Sequence, residues 1–180
     1  MKKILLISVC AFLAIASVGC GKKKPDGMPD LQPTLLTVTQ GGAPLSGAMV
    51  NLKSTDASNK WTCGGTTDEK GVAALVTHGQ YKGVPIGKYK VSVNKTIGEG
   101  DPPPRTPFNE ETARAWKEYH DAGKTYEEFY VVDQKYATVD ATPLEIEVVK
   151  GKNNLTADVG EAVKIPIKQS SGVVPTNIPE

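Results

Sequence analysis

Gly87 to Asn94 reads Gly-Lys-Tyr-Lys-Val-Ser-Val-Asn, and its strict alternation constrains the fold more than any other stretch of this 180-residue chain. Tyr89, Val91 and Val93 fall on one side of an extended backbone, and Lys88, Lys90, Ser92 and Asn94 on the other. A strand has a side-chain period of two, so the pattern puts one face in a core and the other in water. Similar runs recur between turn residues. Thr34 to Gln40 is β-rich and ends at Gly41-Gly42, and Ala48, Val50 and Leu52 share a face in the run to Lys53. Beyond the polar turn Asp56 to Asn59, Lys60 to Thr67 carries Trp61 and Cys63. Asp68-Glu69-Lys70-Gly71 then turns into Val72 to Thr77. Leu144, Ile146 and Val148 alternate with Glu145 and Glu147, and Gly151-Lys152-Asn153 leads into Asn154 to Val159. Seven short strands joined by polar turns predict an all-β fold, a seven-stranded antiparallel β-sandwich.

One segment breaks the pattern, a helical insertion spanning about residues 98–130. It opens with Gly98-Glu99-Gly100-Asp101-Pro102-Pro103-Pro104, an expected extended linker. Asn109 to Ala122 then reads as a helix: Asn109 suits the N-cap, Glu110 and Glu111 the positive end, and Gly123 the stop. Ala113, Trp116, Tyr119 and His120 share a face, and Glu110 and Arg114 stand four apart as a favourable pair. Long insertions in compact domains are often functional. The candidate binding surface is therefore Trp116, Tyr119, Tyr126 and Phe129, since exposed aromatics anchor protein and sugar interfaces. The competing reading is that Trp116 and Tyr119 simply cover one end of the sandwich.

Three ordered motifs carry a family resemblance. They are Leu45-Ser46-Gly47-Ala48-Met49-Val50-Asn51-Leu52, Thr66-Thr67-Asp68-Glu69-Lys70-Gly71-Val72-Ala73, and Val84-Pro85-Ile86-Gly87-Lys88-Tyr89-Lys90-Val91-Ser92-Val93. Together they resemble a carboxypeptidase regulatory-like (transthyretin-like) domain, in which a Gly-Ala-x-Val strand, a Thr-Asp-x-x-Gly turn and a Pro-x-Gly-x-Tyr-x-Val-x-Val strand recur in this order. The resemblance covers about residues 34–96 directly, and Lys135-Tyr136-Ala137, Thr142-Pro143-Leu144 and Gly151-Lys152-Asn153 are similar to the closing half. It implies an Ig-like or prealbumin-like sandwich and an accessory, non-catalytic module.

The N-terminus bears on location. Met-Lys-Lys, an apolar run from Ile4 to Val18 and then Ser17-Val18-Gly19-Cys20 have the layout of a secretory signal. The run is short of the roughly 20 residues that span a bilayer. Gly19-Cys20 resembles the lipobox of bacterial lipoproteins, with Ser17 where that family usually has leucine. The resemblance implies removal of residues 1–19, palmitate-type acylation of Cys20 and membrane lipid as a partner. Ordinary secretion, with cleavage near Ala16 to Gly19, is the competing reading. Residues 20–33 form a charged tether, 34–165 the domain and 166–180 a flexible tail. Lys22, Lys23 and Lys24 would lie beside the headgroups. Gly21 stands where an aspartate retains such lipoproteins at the inner membrane, so the resemblance favours the outer membrane. Cys63 then has no intrachain partner and is either a buried thiol or an intermolecular link.

Composition narrows the function classes. The formal charge of +1, with Lys2 and Lys3 in the signal, leaves a near-neutral mature chain without the footprint of a nucleic-acid binder. The expectation is a non-enzymatic envelope lipoprotein that binds a protein or glycan, with no cofactor, no metal and no catalytic residue. The alternatives are a transthyretin-like hydrolase or a calcium-dependent glycan-binding or adhesion module. The hydrolase of that group uses histidines, an arginine and a Tyr-Arg-Gly-Ser run. That run is absent, and His78 and His120 are the only histidines. Asp68-Glu69 and Glu99 to Asp101 are acidic turns short of the six to eight oxygens that calcium takes.

Overall fold

Turn-forming residues cut this chain into many short extended segments. The computed structural model describes residues 24–104, 106–107 and 109–167. In chain order they form β1 (Leu31–Gln32), β2 (Thr34–Gln40), β3 (Ala43–Pro44), β4 (Met49–Ser54), β5 (Cys63–Thr66), β6 (Val72–Ala74), β7 (Val76–Thr77), β8 (Tyr81–Lys82), β9 (Val84–Pro85), β10 (Gly87–Asn94), β11 (Thr96–Glu99), α1 (Glu110–Asp121), β12 (Glu127–Tyr130), a 3-10 turn (Gln134–Tyr136), β13 (Glu145–Val148), β14 (Asn153–Asp158) and β15 (Ile165–Pro166). The signal segment, Cys20 and residues 168–180 lie outside the described residues.

The protein is an all-β, open sandwich with one short helix. One layer is a six-stranded sheet in the order β13-β10-β4-β5-β7-β8, and the facing layer holds β14-β2-β3 with β6 also on β2. All seven expected strands are present. Alternation explains the core between them: Leu36, Val38, Ala73, Ala157 and Val159 meet Val50, Leu52, Tyr89, Val91, Val93, Ile146 and Val148, with Val132 and Tyr136 closing the cluster.

Three details depart from the sequence reading. First, β14 runs parallel to β2, pairing Asn153 with Thr34 through Asp158 with Thr39, so the sandwich is not wholly antiparallel. A strand's own alternation fixes which side is buried and says nothing about a neighbour's direction. Second, the expected strand Val72 to Thr77 is split at Leu75. Its first half pairs with β2 and its second with β5, so the chain changes sheets there. Third, Ser92 is buried although its register assigns it outward. The connection from the 3-10 turn to β13 reaches that face, where Asp140 Oδ1 meets Lys53 Nζ at 2.6 Å. That contact also offsets the like charges of Lys53 and Lys90, which stand opposite each other on β4 and β10. The Asp140 carboxyl is held below its usual range by the hydrogen bond from Lys53 and its charge, with Lys90 adding to the effect.

The Thr-Asp-x-x-Gly turn is a hydrogen-bonded joint between the layers. Buried Thr67 Oγ1 donates to Leu45 O at 2.6 Å and accepts from Ala48 N at 2.8 Å. Asp68 Oδ1 accepts from Lys70 N and Val72 N, both at 2.9 Å. An Asx turn of this kind satisfies backbone donors that the tight reversal leaves unpaired.

Candidate functional site: the helical arm

Past Asn94 the chain leaves the core strand β10 and passes through Lys95 into β11, every residue of which is exposed. β11 pairs antiparallel with β12, from Thr96 opposite Tyr130 to Glu99 opposite Glu127, and β15 adds a third strand through Phe129–Pro166 and Tyr130–Ile165. This small sheet is the stem of an arm whose distal part is α1. The stem was missed in the sequence because β11 has no buried side to alternate with and β12 is only four residues long. The expected linker from Gly98 therefore begins inside a strand, and the pairing of Ile165–Pro166 carries ordered structure past residue 165.

α1 forms where the caps place it. The Asn109 side chain accepts from Thr112 N at 2.8 Å, and Thr112 Oγ1 accepts from Asn109 N at 3.0 Å, closing a reciprocal capping box. Arg114 meets Glu110 at 2.8 Å and Lys117 meets Asp121 at 2.7 Å, both four residues apart. These pairs are exposed, so solvent screens them and they add little to the helix.

The four candidate aromatics lie on this arm but divide by burial. Tyr119 and Phe129 are buried, at 7 % and 8 % exposure. The Tyr119 hydroxyl donates to Thr125 O at 2.7 Å, joining the helix to the return strand. Lys164 Nζ stands 4.4 Å from the centre of the Phe129 ring. Trp116 and Tyr126 are half-buried. Trp116 Nε1 donates to Pro104 O at 3.2 Å, pinning the proline stretch to the helix. Its ring meets Tyr119 edge-on at 5.7 Å and His120 at 5.6 Å. Tyr126 lies on Gly98, where an added Cβ would overlap its ring, and its hydroxyl donates to Glu128 Oε1 at 3.2 Å. Gly100, at φ +110°, brings its backbone against Thr125 O and the Tyr119 hydroxyl. Gly98 and Gly100 are thus the positioning residues that the sequence reading passed over. Their signal was a Gly-x-Gly at the mouth of an aromatic-rich insertion. Along the helix a shallow groove of about 530 Å³ is lined by Asn109, Glu110, Glu111, Arg114, Ala115 and Glu118.

Elsewhere the reactive groups are scattered over the fold. The exposed His78 and His120 each lie tilted beside an indole, at 4.9 Å from Trp61 and 5.6 Å from Trp116. Cys63 is a buried free thiol whose Sγ lies 3.4 Å from Thr77 Oγ1. Burial pushes its ionisation up, which keeps it in the inert thiol form. Glu99 Oε1 is bound to Lys164 Nζ at 2.6 Å. Among the described residues no three His, Cys, Asp or Glu side chains converge to hold a metal ion. Among the same residues no helix is long and apolar enough to cross a membrane.

No family model, curated protein or solved structure matches the chain.

Proposed function

We propose that the protein is a non-enzymatic envelope lipoprotein, a transthyretin-like sandwich held by acylated Cys20 to the membrane, the outer membrane in preference to the inner. Its helical arm contacts a protein or glycan partner. The observation that carries the reading is the arm itself. A capped helix on a three-stranded stem holds the half-exposed Trp116 ring in place through Pro104 O, Tyr119 and His120. A large ring fixed before contact loses little freedom on binding, the usual character of an interface anchor.

The test is a crosslinking pull-down of the lipidated protein from intact envelopes, read by mass spectrometry. One dominant partner crosslinked through residues 98–130 is expected, and a glycan array replaces the pull-down for a sugar ligand. Trp116→Ala is expected to weaken capture at least about thirtyfold, the effect of a hot-spot residue, while the thermal transition stays in place. A collapsed transition would make Trp116 a core residue and remove it from the surface. Cys20→Ala is expected to move the protein from the membrane to the soluble fraction, and a variant that stays membrane-bound sinks the anchor.

A further inference from the structure

The sandwich has two unlike ends. At one, β1 enters the fold by pairing Leu31 with Pro85 and Gln32 with Val84. Gly151 N donates to Gln32 Oε1 at 2.8 Å and Asn153 N to Pro33 O at 2.9 Å, so the 149–153 turn belongs to the same end. Ile86 and Val149 follow directly on the last ladder pair of β10 and β13, Gly87 opposite Val148, and are 55 % and 53 % exposed. Two β-branched side chains are thereby presented to solvent next to the point where the tether enters. Lys88, Lys150 and Lys152 are exposed around them, Lys88 opposite Glu147 on the ladder, and among the described residues none of the three makes an ion pair.

We infer that this end of the sandwich docks on a lipid surface with anionic headgroups, Ile86 and Val149 entering the interface and Lys150 and Lys152 facing the phosphates. The inference rests on acylation of Cys20. Ten residues lie between Cys20 and Leu31, and the eleven backbone steps reach at most about 40 Å when fully extended. That tether permits many orientations. What selects one is that exposed branched apolar side chains and unpaired lysines coincide at the tethered end. Apolar side chains at a headgroup boundary with basic residues beside them match the chemistry of peripheral attachment. The other end of β10 is about 27 Å away for an eight-residue strand and leads into the arm, which this orientation turns away from the bilayer.

The experiment uses the full lipidated chain in vesicles of phosphatidylethanolamine and phosphatidylglycerol. An environment-sensitive fluorophore is placed at Ile86→Cys, Val149→Cys or, at the far end of β4, Met49→Cys. Met49 is equally exposed, at 58 %, and pairs with Asn94. Wild type, with Cys63 buried, is the labelling blank. Expected is a blue shift and severalfold stronger quenching by spin-labelled lipid at 86 and 149 than at 49. Each of Lys150→Ser and Lys152→Ser should lower the docking equilibrium about fivefold. Failure of the chain to float with vesicles overturns the anchor and this inference together. Flotation with the label at 86 and 149 as water-exposed as at 49 overturns this inference alone.

Discussion

Replacing Tyr89 by alanine is expected to cost about 4–6 kcal/mol, close to the whole stability of a domain this size. Tyr89 is fully buried at the centre of β10. Truncation removes the largest fully buried side chain and leaves a cavity that the flanking strands cannot close. It also strands two polar groups. The phenol donates to Pro85 O at 2.8 Å and accepts from Asn59 Nδ2 at 3.1 Å, joining β9 to the loop after β4 at the sheet end. Tyr89→Phe keeps the volume and loses only those bonds, at about 1–3 kcal/mol. Denaturant unfolding of the two variants separates packing from hydrogen bonding.

The phenol carries a pH signature as well. Burial pushes its ionisation up to about 12, partly offset by the Asn59 hydrogen bond. A folded-state value above the unfolded value of about 10 stabilises the fold while the phenol is protonated. That contribution is complete below pH 10 and fades as pH rises through 12, a loss of roughly 3 kcal/mol. The stability gap between wild type and Tyr89→Phe should therefore narrow between pH 9 and 12. A constant gap would mean that the phenol does not ionise with unfolding.

Gly71→Ala should rank next, at about 3–4 kcal/mol. Gly71 has φ +73°, and an added Cβ would lie 2.7 Å from Val38 O and 3.0 Å from Leu45 N. Those two atoms are bonded to each other at 2.9 Å, and Val38 N donates to Gly71 O at 2.8 Å. A methyl group there pushes apart the backbone that joins the two layers. Gly42 supplies the control, with φ +79° and nothing within 4 Å of its added Cβ. Gly42→Ala has only the left-handed backbone to overcome, at about 1 kcal/mol. Equal urea midpoints for the two variants would show that crowding at Gly71 is relieved by movement of β2.

How much of this was legible in the sequence depended on contrast. The seven core strands were readable because Val50 against Asn51, or Val91 against Lys90, reports a difference between oil and water. β11 offers no such contrast, and the stem went unread with it. α1 was readable from both ends, since Asn109 and Gly123 punctuate it chemically. Which aromatic would be buried was not readable, because Trp116 and Tyr119 share one helical face. The stem and Thr125 draw in Tyr119 and leave Trp116 half outside. The direction of β14 was equally hidden, because pairing is a property of two strands.

The parallel join of β2 and β14 unites the earliest long strand with the last one of the sandwich, more than a hundred residues apart. Local hairpins such as β7–β8 form from neighbours, but this seam closes only when residues 153–158 are present. Until then Leu36 and Val38 sit in a strand with one open edge, a template for pairing with another copy. A ladder of such sequence separation folds slowly. The newly made chain therefore passes through an adhesive, unfinished stage whose length is set by synthesis and by loop closure, and truncation before Asn153 would make that stage permanent.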